Sequence, residues 1–231
     1  MQKIFDCAID TELLTGLRLA RVALGRTELA VIPTDTVYGI AANAFSAAAV
    51  QALLDAKGRG RQSPPPVLVS SLSQARALVE SLPDASIKLA ETFWPGALTM
   101  IFMAQPSLDW DLGETRGTVA IRVPDHKIAL ALIEETGPLA VSSANLTGQP
   151  AATTCQQAFE YLQDSVDVFL DAGNSPKGEA STILDMTNLV DDYDKDGKLT
   201  TSGKVRIVRR GALSEAKIRS VIGDLLEVKE K

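Results

Sequence analysis

The sequence of 231 residues has few of the side chains that build metal centres or disulfide frameworks. His126 is the single histidine, so a site that needs two histidine ligands cannot be assembled within the chain. The two cysteines, Cys7 and Cys155, lie far apart and form no CxxC pair, which disfavours structural zinc and disulfide bonds. This use of cysteine is typical of a reducing compartment, and we expect a cytoplasmic protein.

Long apolar runs are missing as well. The longest tract, residues 97–104, has the length of a buried strand and falls short of the ~18 residues of a membrane span. Asp6 and Asp10 interrupt the region where a signal peptide would carry its apolar core. The net charge of -6 disfavours a generally basic nucleic-acid-binding protein, but it is compatible with a local basic patch.

Helix-like and strand-like segments alternate along the chain. Apolar residues at helical spacing follow Asp10 and Ser46, which we predict as N-caps. Further helices are predicted over 72–82, 84–93, 125–135, 154–162 and 214–228, the last amphipathic. Strands are predicted over 29–32, 66–69, 98–103, 118–123, 139–142, 166–170, 182–186 and 205–208, and loops over 58–66 and 191–203. This alternation predicts an α/β fold with a twisted, mixed, open sheet flanked by helices, as one domain over 1–231 with a core of about 10–215.

Two matches to known binding motifs fail on inspection, and a third motif lacks support. Residues 173–178 carry two glycines of a Walker A loop, but Glu179 stands where the lysine is needed. Asp192, Asp194 and Asp196 imitate an EF-hand, but Gly203 replaces the bidentate carboxylate, so we expect a solvated hairpin loop. A Ser-His-Asp triad is not excluded by counting, but no GxSxG elbow supports one, and we expect His126 in the first turn of a helix.

Cationic and small polar residues recur at the ends of the predicted strands. Arg122 and Arg209 each end a strand, residues 142–148 follow another, and Lys57 and Arg59 precede a proline-rich stretch. Ligands gather at the carboxyl ends of strands in open α/β sheets, so these groups should meet. Guanidinium groups bind phosphate oxygens bidentately, whereas each arginine alone would more often form a surface salt bridge. Taken together, the set predicts a large concave basic cavity that binds anions.

Seven motifs resemble the YrdC-like family of threonylcarbamoyl-AMP synthases and occur in family order over about residues 10–215. They are PTDTVYGI (33–40), KGRGRQSPPPVLV (57–69), WPGALT (94–99), GTVAIRVPDH (117–126), SSANLTG (142–148), STILD (181–185) and VRRGAL (208–213). The resemblance implies a YrdC-like fold without the extra C-terminal domain of longer family members. It also implies an L-threonylcarbamoyladenylate synthase, a nucleotidyltransferase that condenses L-threonine, bicarbonate or CO2 and ATP into threonylcarbamoyl-AMP and pyrophosphate.

The resemblance further implies Mg²⁺ carried by ATP, with no metal-ligating side chains and no organic cofactor. Partner proteins would transfer the threonylcarbamoyl group to tRNA, with at most weak tRNA contact by this chain and no membrane association.

The same resemblance assigns roles to individual residues. Lys57 and Arg59 match the catalytic pair that holds the ATP phosphates. The other implied nucleotide contacts are Ser63, Thr118, Asn145 and Arg209. The implied threonine contacts are Thr36, Arg122, Ser143 and Ser181, with Arg122 pairing the substrate carboxylate. Tyr38 fits a substrate contact or a buried structural tyrosine equally well.

Two other readings belong to different classes. A non-catalytic RNA-binding protein of the same fold would be expected to lose part of the cationic set, whereas the set is complete here. A carbamoyltransferase component would usually need further zinc-ligand or acylphosphatase segments, which one histidine and two separated cysteines do not supply. The sequence therefore favours the enzyme.

Overall fold

The computed structural model describes residues 3–227, which form one large sheet, a separate two-stranded hairpin and helices. The strands are β1 (Ile4–Asp6), β2 (Ala30–Ile32), β3 (Gly39–Asn43), β4 (Val67–Leu68), β5 (Leu98–Met103), β6 (Thr118–Arg122), β7 (Leu139–Ser143), β8 (Val168–Asp171), β9 (Thr182–Asp185), β10 (Val190–Tyr193), β11 (Leu199–Ser202) and β12 (Arg206–Arg209). The α-helices are α1 (Asp10–Gly25), α2 (Ala47–Ala56), α3 (Leu72–Arg76), α4 (Asp84–Phe93), α5 (Lys127–Thr136), α6 (Cys155–Leu162) and α7 (Glu215–Ile222). Within these residues, no helix has both the length and the apolar character needed to cross a membrane.

Ten strands form the large sheet in the order β1-β8-β2-β3-β7-β4-β6-β5-β9-β12. The β1–β8, β2–β8, β4–β6 and β5–β9 pairs are parallel, and the remaining five pairs are antiparallel. The prediction of a mixed sheet flanked by helices is confirmed.

The two faces of the sheet are covered unequally. On one face, α2, α4, α6 and α7 contribute to a core that runs along most of the sheet, with Ile40, Met100 and Leu184 pointing into it. On the other face, α1 and α5 pack on the half that carries β1, β8, β2, β3 and β7. The half formed by β6, β5, β9 and β12 therefore keeps an open face on the side of α1 and α5.

Local sequence signals predicted the bounds or the caps of several helices and strands correctly. Strand β5 and helix α4 have the predicted bounds, and the Ser46 hydroxyl caps α2 by accepting a hydrogen bond from the Ala49 amide at 3.2 Å. Helix α1 begins at Asp10 itself, so Ile9 occupies the cap position. His126 likewise lies at the cap position of α5, directly before its first turn.

Other predicted elements are wrong in extent. The helix predicted over 72–82 ends at Arg76, because Val79 pairs with Ala104 and the Glu80 amide donates to the Met103 carbonyl. The helix predicted over 214–228 begins at Glu215 and ends at Ile222, where Gly223 adopts φ 52° and the chain turns so that Leu226 bridges to Val205. The end of that prediction, Val228, lies outside the described residues. Strands β1 and β3 were not predicted, and buried residues extend from Phe5 to Leu226.

The segment predicted as a solvated hairpin loop is an antiparallel hairpin, β10–β11, with Val190 opposite Ser202. At its turn, one carboxylate oxygen of Asp194 accepts hydrogen bonds from the amides of Asp196 and Lys198, each at 2.9 Å. These residues are exposed and serve the turn.

Replacing both Asp194 and Asp196 with serine is expected to leave the catalytic rate within about two-fold of wild type, because exposed polar substitutions act locally. Steady-state kinetics of the double variant with the activity proposed below would check this. A loss of ten-fold or more would show that the hairpin takes part in the reaction.

Candidate functional site

A cavity of ≈ 250 Å³ lies on the open half of the sheet. Its wall follows the two-residue alternation of the strands, because Ile101, Ala120 and Ile183 line it while Met100, Ile121 and Leu184 belong to the opposite core. Thr118, at the start of β6, lines it as well as Arg122 at the end. The sequence predicts a site at the carboxyl ends of strands, whereas the cavity extends across the face of the sheet and includes the start of β6.

Three arginines, Arg59, Arg122 and Arg209, face this cavity. Among the described residues that line it there is no aspartate or glutamate. The pKa of Arg209 is lowered by burial and then by the positive charges of Arg122 and Arg59, as expected when three guanidinium groups share one space. A cavity of this kind in an acidic chain favours ligands that carry several negative charges.

Arg122 is held by three oxygens and is only 6% exposed. Its Nε donates to the Gly96 carbonyl at 2.8 Å, and Nη1 donates to the Thr36 hydroxyl at 2.9 Å. Nη2 donates to the Asp35 carboxylate. Burial lowers the pKa of Arg122 and the Asp35 charge partly offsets this effect, so the pair is an ion pair within the protein.

The other two arginines are fixed by hydroxyl and carbonyl groups and by no carboxylate within the described residues. Arg59 Nη1 donates to the Ser142 hydroxyl at 2.9 Å. Arg209 donates through Nε and Nη2 to the Ser181 carbonyl at 3.0 and 2.9 Å, and Nη2 also reaches the Ser181 hydroxyl at 3.2 Å. Because neutral groups hold them, both cations keep their charge available for a ligand.

Lys57 lies behind the cavity wall and is 2% exposed. Its ammonium donates to the carbonyls of Ser143 and Asn145, the latter at 2.5 Å, and approaches the Asn145 side-chain oxygen at 3.5 Å. Burial, and secondarily the charge of Arg59, lowers the pKa of Lys57 from 10.5 to about 8. The lysine thus clamps the loop after β7 and does not line the cavity.

The depressed pKa of Lys57 predicts an unusual dependence of stability on pH. Between pH 8 and 10.5 the unfolded chain binds more protons than the folded protein at this residue, so Lys57 makes stability rise with pH. Burying the ammonium costs about 3 kcal/mol at pH 7, and that cost vanishes as the pH passes 10.5. Thermal unfolding of wild type and Lys57→Met from pH 7 to 10.5 should show wild type gaining stability relative to the variant. Parallel curves would contradict the shift.

The structure brings together seven of the ten residues that the sequence indicated. Those that line the cavity are Thr36, Arg59, Thr118, Arg122, Ser143, Ser181 and Arg209. Lys57, Ser63 and Asn145 do not line it. The side-chain amide of Asn145 donates to the carbonyls of Leu146 and Gln149 and so stabilises the loop. Ser63 lies in the 58–66 loop, where its backbone amide donates to the Gly60 carbonyl at 3.2 Å.

Sequence reasoning missed two charged residues that support the site. Asp35 lies inside the PTDTVYGI motif and is 3% exposed, and Lys177 belongs to the loop rejected as a Walker motif. Lys177 Nζ donates to the second Asp35 oxygen at 2.9 Å. The sequence does contain a signal for Asp35, because it lies among apolar and hydroxyl residues that predict burial. A buried carboxylate needs a cationic partner.

Tyr38 lines the cavity and is also a structural anchor. It is 1% exposed, donates its hydroxyl hydrogen to the Gly173 carbonyl at 2.6 Å and accepts from the Ala172 amide at 3.0 Å. The tyrosine therefore fastens the start of the loop that carries Lys177.

Comparisons with known proteins find the same family by sequence and by structure. A family model for Sua5, YciO and YrdC proteins, described as "Telomere recombination", matches residues 23–193. A Mycobacterium leprae protein provisionally named threonylcarbamoyl-AMP synthase is 46% identical over 223 residues, covering 96% of this chain and 95% of that protein. The Bacillus subtilis threonylcarbamoyl-AMP synthase is 36% identical over 208 residues, covering 89% of this chain and 56% of that protein. The crystal structure of P. abyssi Sua5 complexed with L-threonine superposes with a TM-score of 0.83 at 30% identity, covering 97% of this chain and 62% of that one.

Proposed function

The chain belongs to the Sua5/YciO/YrdC family, and on that basis we propose that it is a threonylcarbamoyl-AMP synthase. The observation that carries the proposal is the group of three arginines around one cavity that no carboxylate lines within residues 3–227. The substrates of this reaction, ATP, threonine and bicarbonate, all carry negative charge.

The chemistry proposed here needs charge stabilisation and positioning more than it needs a histidine base. The threonine amine attacks CO2 and releases a proton to form a carbamate, or condenses with bicarbonate and releases water to form the same carbamate. A carbamate oxygen then attacks the α-phosphorus of ATP, the bond to the β-phosphate bridging oxygen breaks, and pyrophosphate leaves. This second step makes the protein a nucleotidyltransferase, and its barrier is lowered by preorganised cations and by alignment of the reacting groups.

The three arginines suit different parts of these substrates. The fork of Arg122 is fixed by Thr36 and Asp35 and suits the planar carboxylate of threonine. Arg59 and Arg209 are anchored by serines and suit the phosphate oxygens. Thr99 and Ser181 share a hydrogen bond of 2.8 Å at the cavity wall, so their hydroxyls can orient the amino-acid end.

Magnesium would accompany ATP and neutralise phosphate charge. The polar side chains that line the cavity carry guanidinium and hydroxyl groups, which fit the phosphates of a magnesium–ATP complex and do not form a metal-ligand set. We further propose that the product passes in the cytoplasm to partner proteins that transfer the threonylcarbamoyl group to tRNA.

The proposal is tested by incubating the purified protein with α-³²P-labelled ATP, L-threonine, bicarbonate and Mg²⁺. Formation of a labelled threonine-dependent adenylate, with stoichiometric pyrophosphate, is expected. Matched reactions without threonine, or with D-threonine, should give neither product. Absence of both products in the complete reaction, together with binding of tRNA, would favour the RNA-binding alternative and overturn the enzyme.

A further inference from the structure

We infer that Asp35, which does not line the cavity, is a positioning residue that aims Arg122 at the carboxylate of the amino-acid substrate. The inference rests on the proposed function, since it assigns Arg122 a carboxylate ligand. It concerns Asp35, which lies behind the cavity wall and acts through its hydrogen bond to Arg122.

The carboxylate of Asp35 accepts hydrogen bonds from three donors, two at the end of β6 and directly after it and one in the loop that carries Lys177. One oxygen accepts from Arg122 Nη2 and from the Asp125 amide at 3.0 Å. The other accepts from Lys177 Nζ at 2.9 Å. The side chain of Asp35 is 5% exposed, so it has little access to water as an alternative partner.

This arrangement fixes the rotation of the Arg122 guanidinium. The three acceptors Gly96, Thr36 and Asp35 take one N–H from each of its three nitrogens. A guanidinium has five N–H groups, so one N–H on each terminal nitrogen is left for a ligand. Two such groups on adjacent nitrogens form the fork that binds a carboxylate bidentately.

Charge balance points to the same role. Burial by itself would raise the pKa of Asp35, but Arg122 first and Lys177 second bring it below its usual value, so the carboxylate is ionised. An asparagine there would present one oxygen and one NH2 group to three donors. Either Arg122 or Lys177 would then face another donor, and in both orientations the guanidinium would lose the anionic partner that fixes its rotation.

The test measures binding of L-threonine and of L-threoninol, in which CH2OH replaces the carboxylate, by isothermal titration calorimetry. Asp35→Asn is expected to weaken L-threonine binding about ten-fold, because an optimal bidentate ion pair is lost. Binding of L-threoninol should change less than about two-fold, since that ligand has no carboxylate for the fork. Asp185→Asn, which removes a carboxylate from the Arg206 ion pair outside the cavity, is the matched control and should bind both ligands as wild type does.

A double-mutant cycle separates positioning from general disturbance. In an Arg122→Lys background, Asp35→Asn should weaken L-threonine binding by less than about two-fold, because the guanidinium that Asp35 orients is already absent. Lys177→Met should weaken threonine binding by at most about three-fold, since the Arg122 contact remains. If Asp35→Asn fails to fold, Asp35→Glu replaces it, with an expected loss of about three-fold for L-threonine and none for L-threoninol.

Several results would overturn the inference. One is unchanged or tighter L-threonine binding by the Asp35 variants, and another is an equal loss of affinity for L-threonine and L-threoninol. The others are an Asp35→Asn effect on threonine binding that is as large in the Arg122→Lys background as in wild type, and a loss of threonine affinity in Lys177→Met as large as that in Asp35→Asn. Failure of the wild-type protein to bind threonine and to form the adenylate would instead overturn the proposed function, and this inference with it.

Discussion

Replacing Arg122 with lysine is expected to lower kcat/KM for threonine by about 10³-fold. Arg122 is buried and satisfies Gly96, Thr36 and Asp35 at once, and a single ammonium on a flexible stem cannot serve these three and a carboxylate together. Loss of a fully hydrogen-bonded buried charge contact costs about 2–5 kcal/mol of binding free energy, a range that includes the value for a 10³-fold loss of kcat/KM. Steady-state kinetics with threonine as the varied substrate measures it, and the change should fall mainly on KM.

The control for Arg122 is Arg206→Lys. Arg206 also pairs with an aspartate, Asp185, but its side chain is 62% exposed and it does not line the cavity. Its substitution should leave kcat/KM within about two-fold of wild type, in keeping with the low value of exposed ion pairs. Equal losses in the two variants, or an Arg122→Lys enzyme with wild-type KM for threonine, would remove Arg122 from the substrate site.

Replacing Arg59 with alanine is expected to raise the activation free energy by about 2–4 kcal/mol, which lowers kcat by roughly 30- to 1000-fold. Within the described residues its side chain is held by one hydrogen bond, to Ser142, and by no carboxylate. Truncation therefore removes charge from the cavity at little cost to folding. A drop in kcat with ATP saturating, at nearly unchanged melting temperature, is the expected pattern.

Arg61→Ala is the matched control for Arg59. Arg61 lies two residues further along the same loop and donates through Nη2 to both carboxylate oxygens of Asp111, at 2.6 and 2.8 Å, outside the cavity lining. Its loss should leave kcat within about two-fold of wild type. A wild-type rate for Arg59→Ala, or a comparable loss for Arg61→Ala, would assign the effect to the loop and not to charge at the phosphates.

Elements marked by local chemistry could be predicted from the sequence. Ser46 begins α2 because a hydroxyl cap is a local signal, and β5 is an uninterrupted apolar run. Strand β3 consists of Gly39–Asn43, in which Ile40 is the one residue with a strand preference. It is a strand because β2 and β7 pair with it on both sides, which is non-local information. Strand β1 is defined in the same way, through its pairing with β8.

The site shows the same division between local and non-local information. The arginines of the cavity were identifiable because Arg122 and Arg209 end predicted strands and Arg59 lies in a motif with Lys57. The position of Lys57 could not be predicted, because its ammonium donates to the backbone carbonyls of Ser143 and Asn145. The positions of backbone carbonyls cannot be inferred from a sequence. Asp35 was missed because only the folded chain shows that Arg122 and Lys177 each donate to one of its carboxylate oxygens.

The order of the strands has a consequence for synthesis of the protein. Thr36 follows β2 near the start of the chain, whereas Arg209 lies in β12, the last strand of the large sheet. At about 5–20 residues per second, a ribosome needs roughly 10 to 35 s to pass from the first of these residues to the second. The nascent chain therefore carries Arg59 through the next 150 residues of translation, and Arg122 through the next 87, without a closed cavity. Neither nucleotide nor amino acid can stabilise it by binding this cavity until translation has passed Arg209.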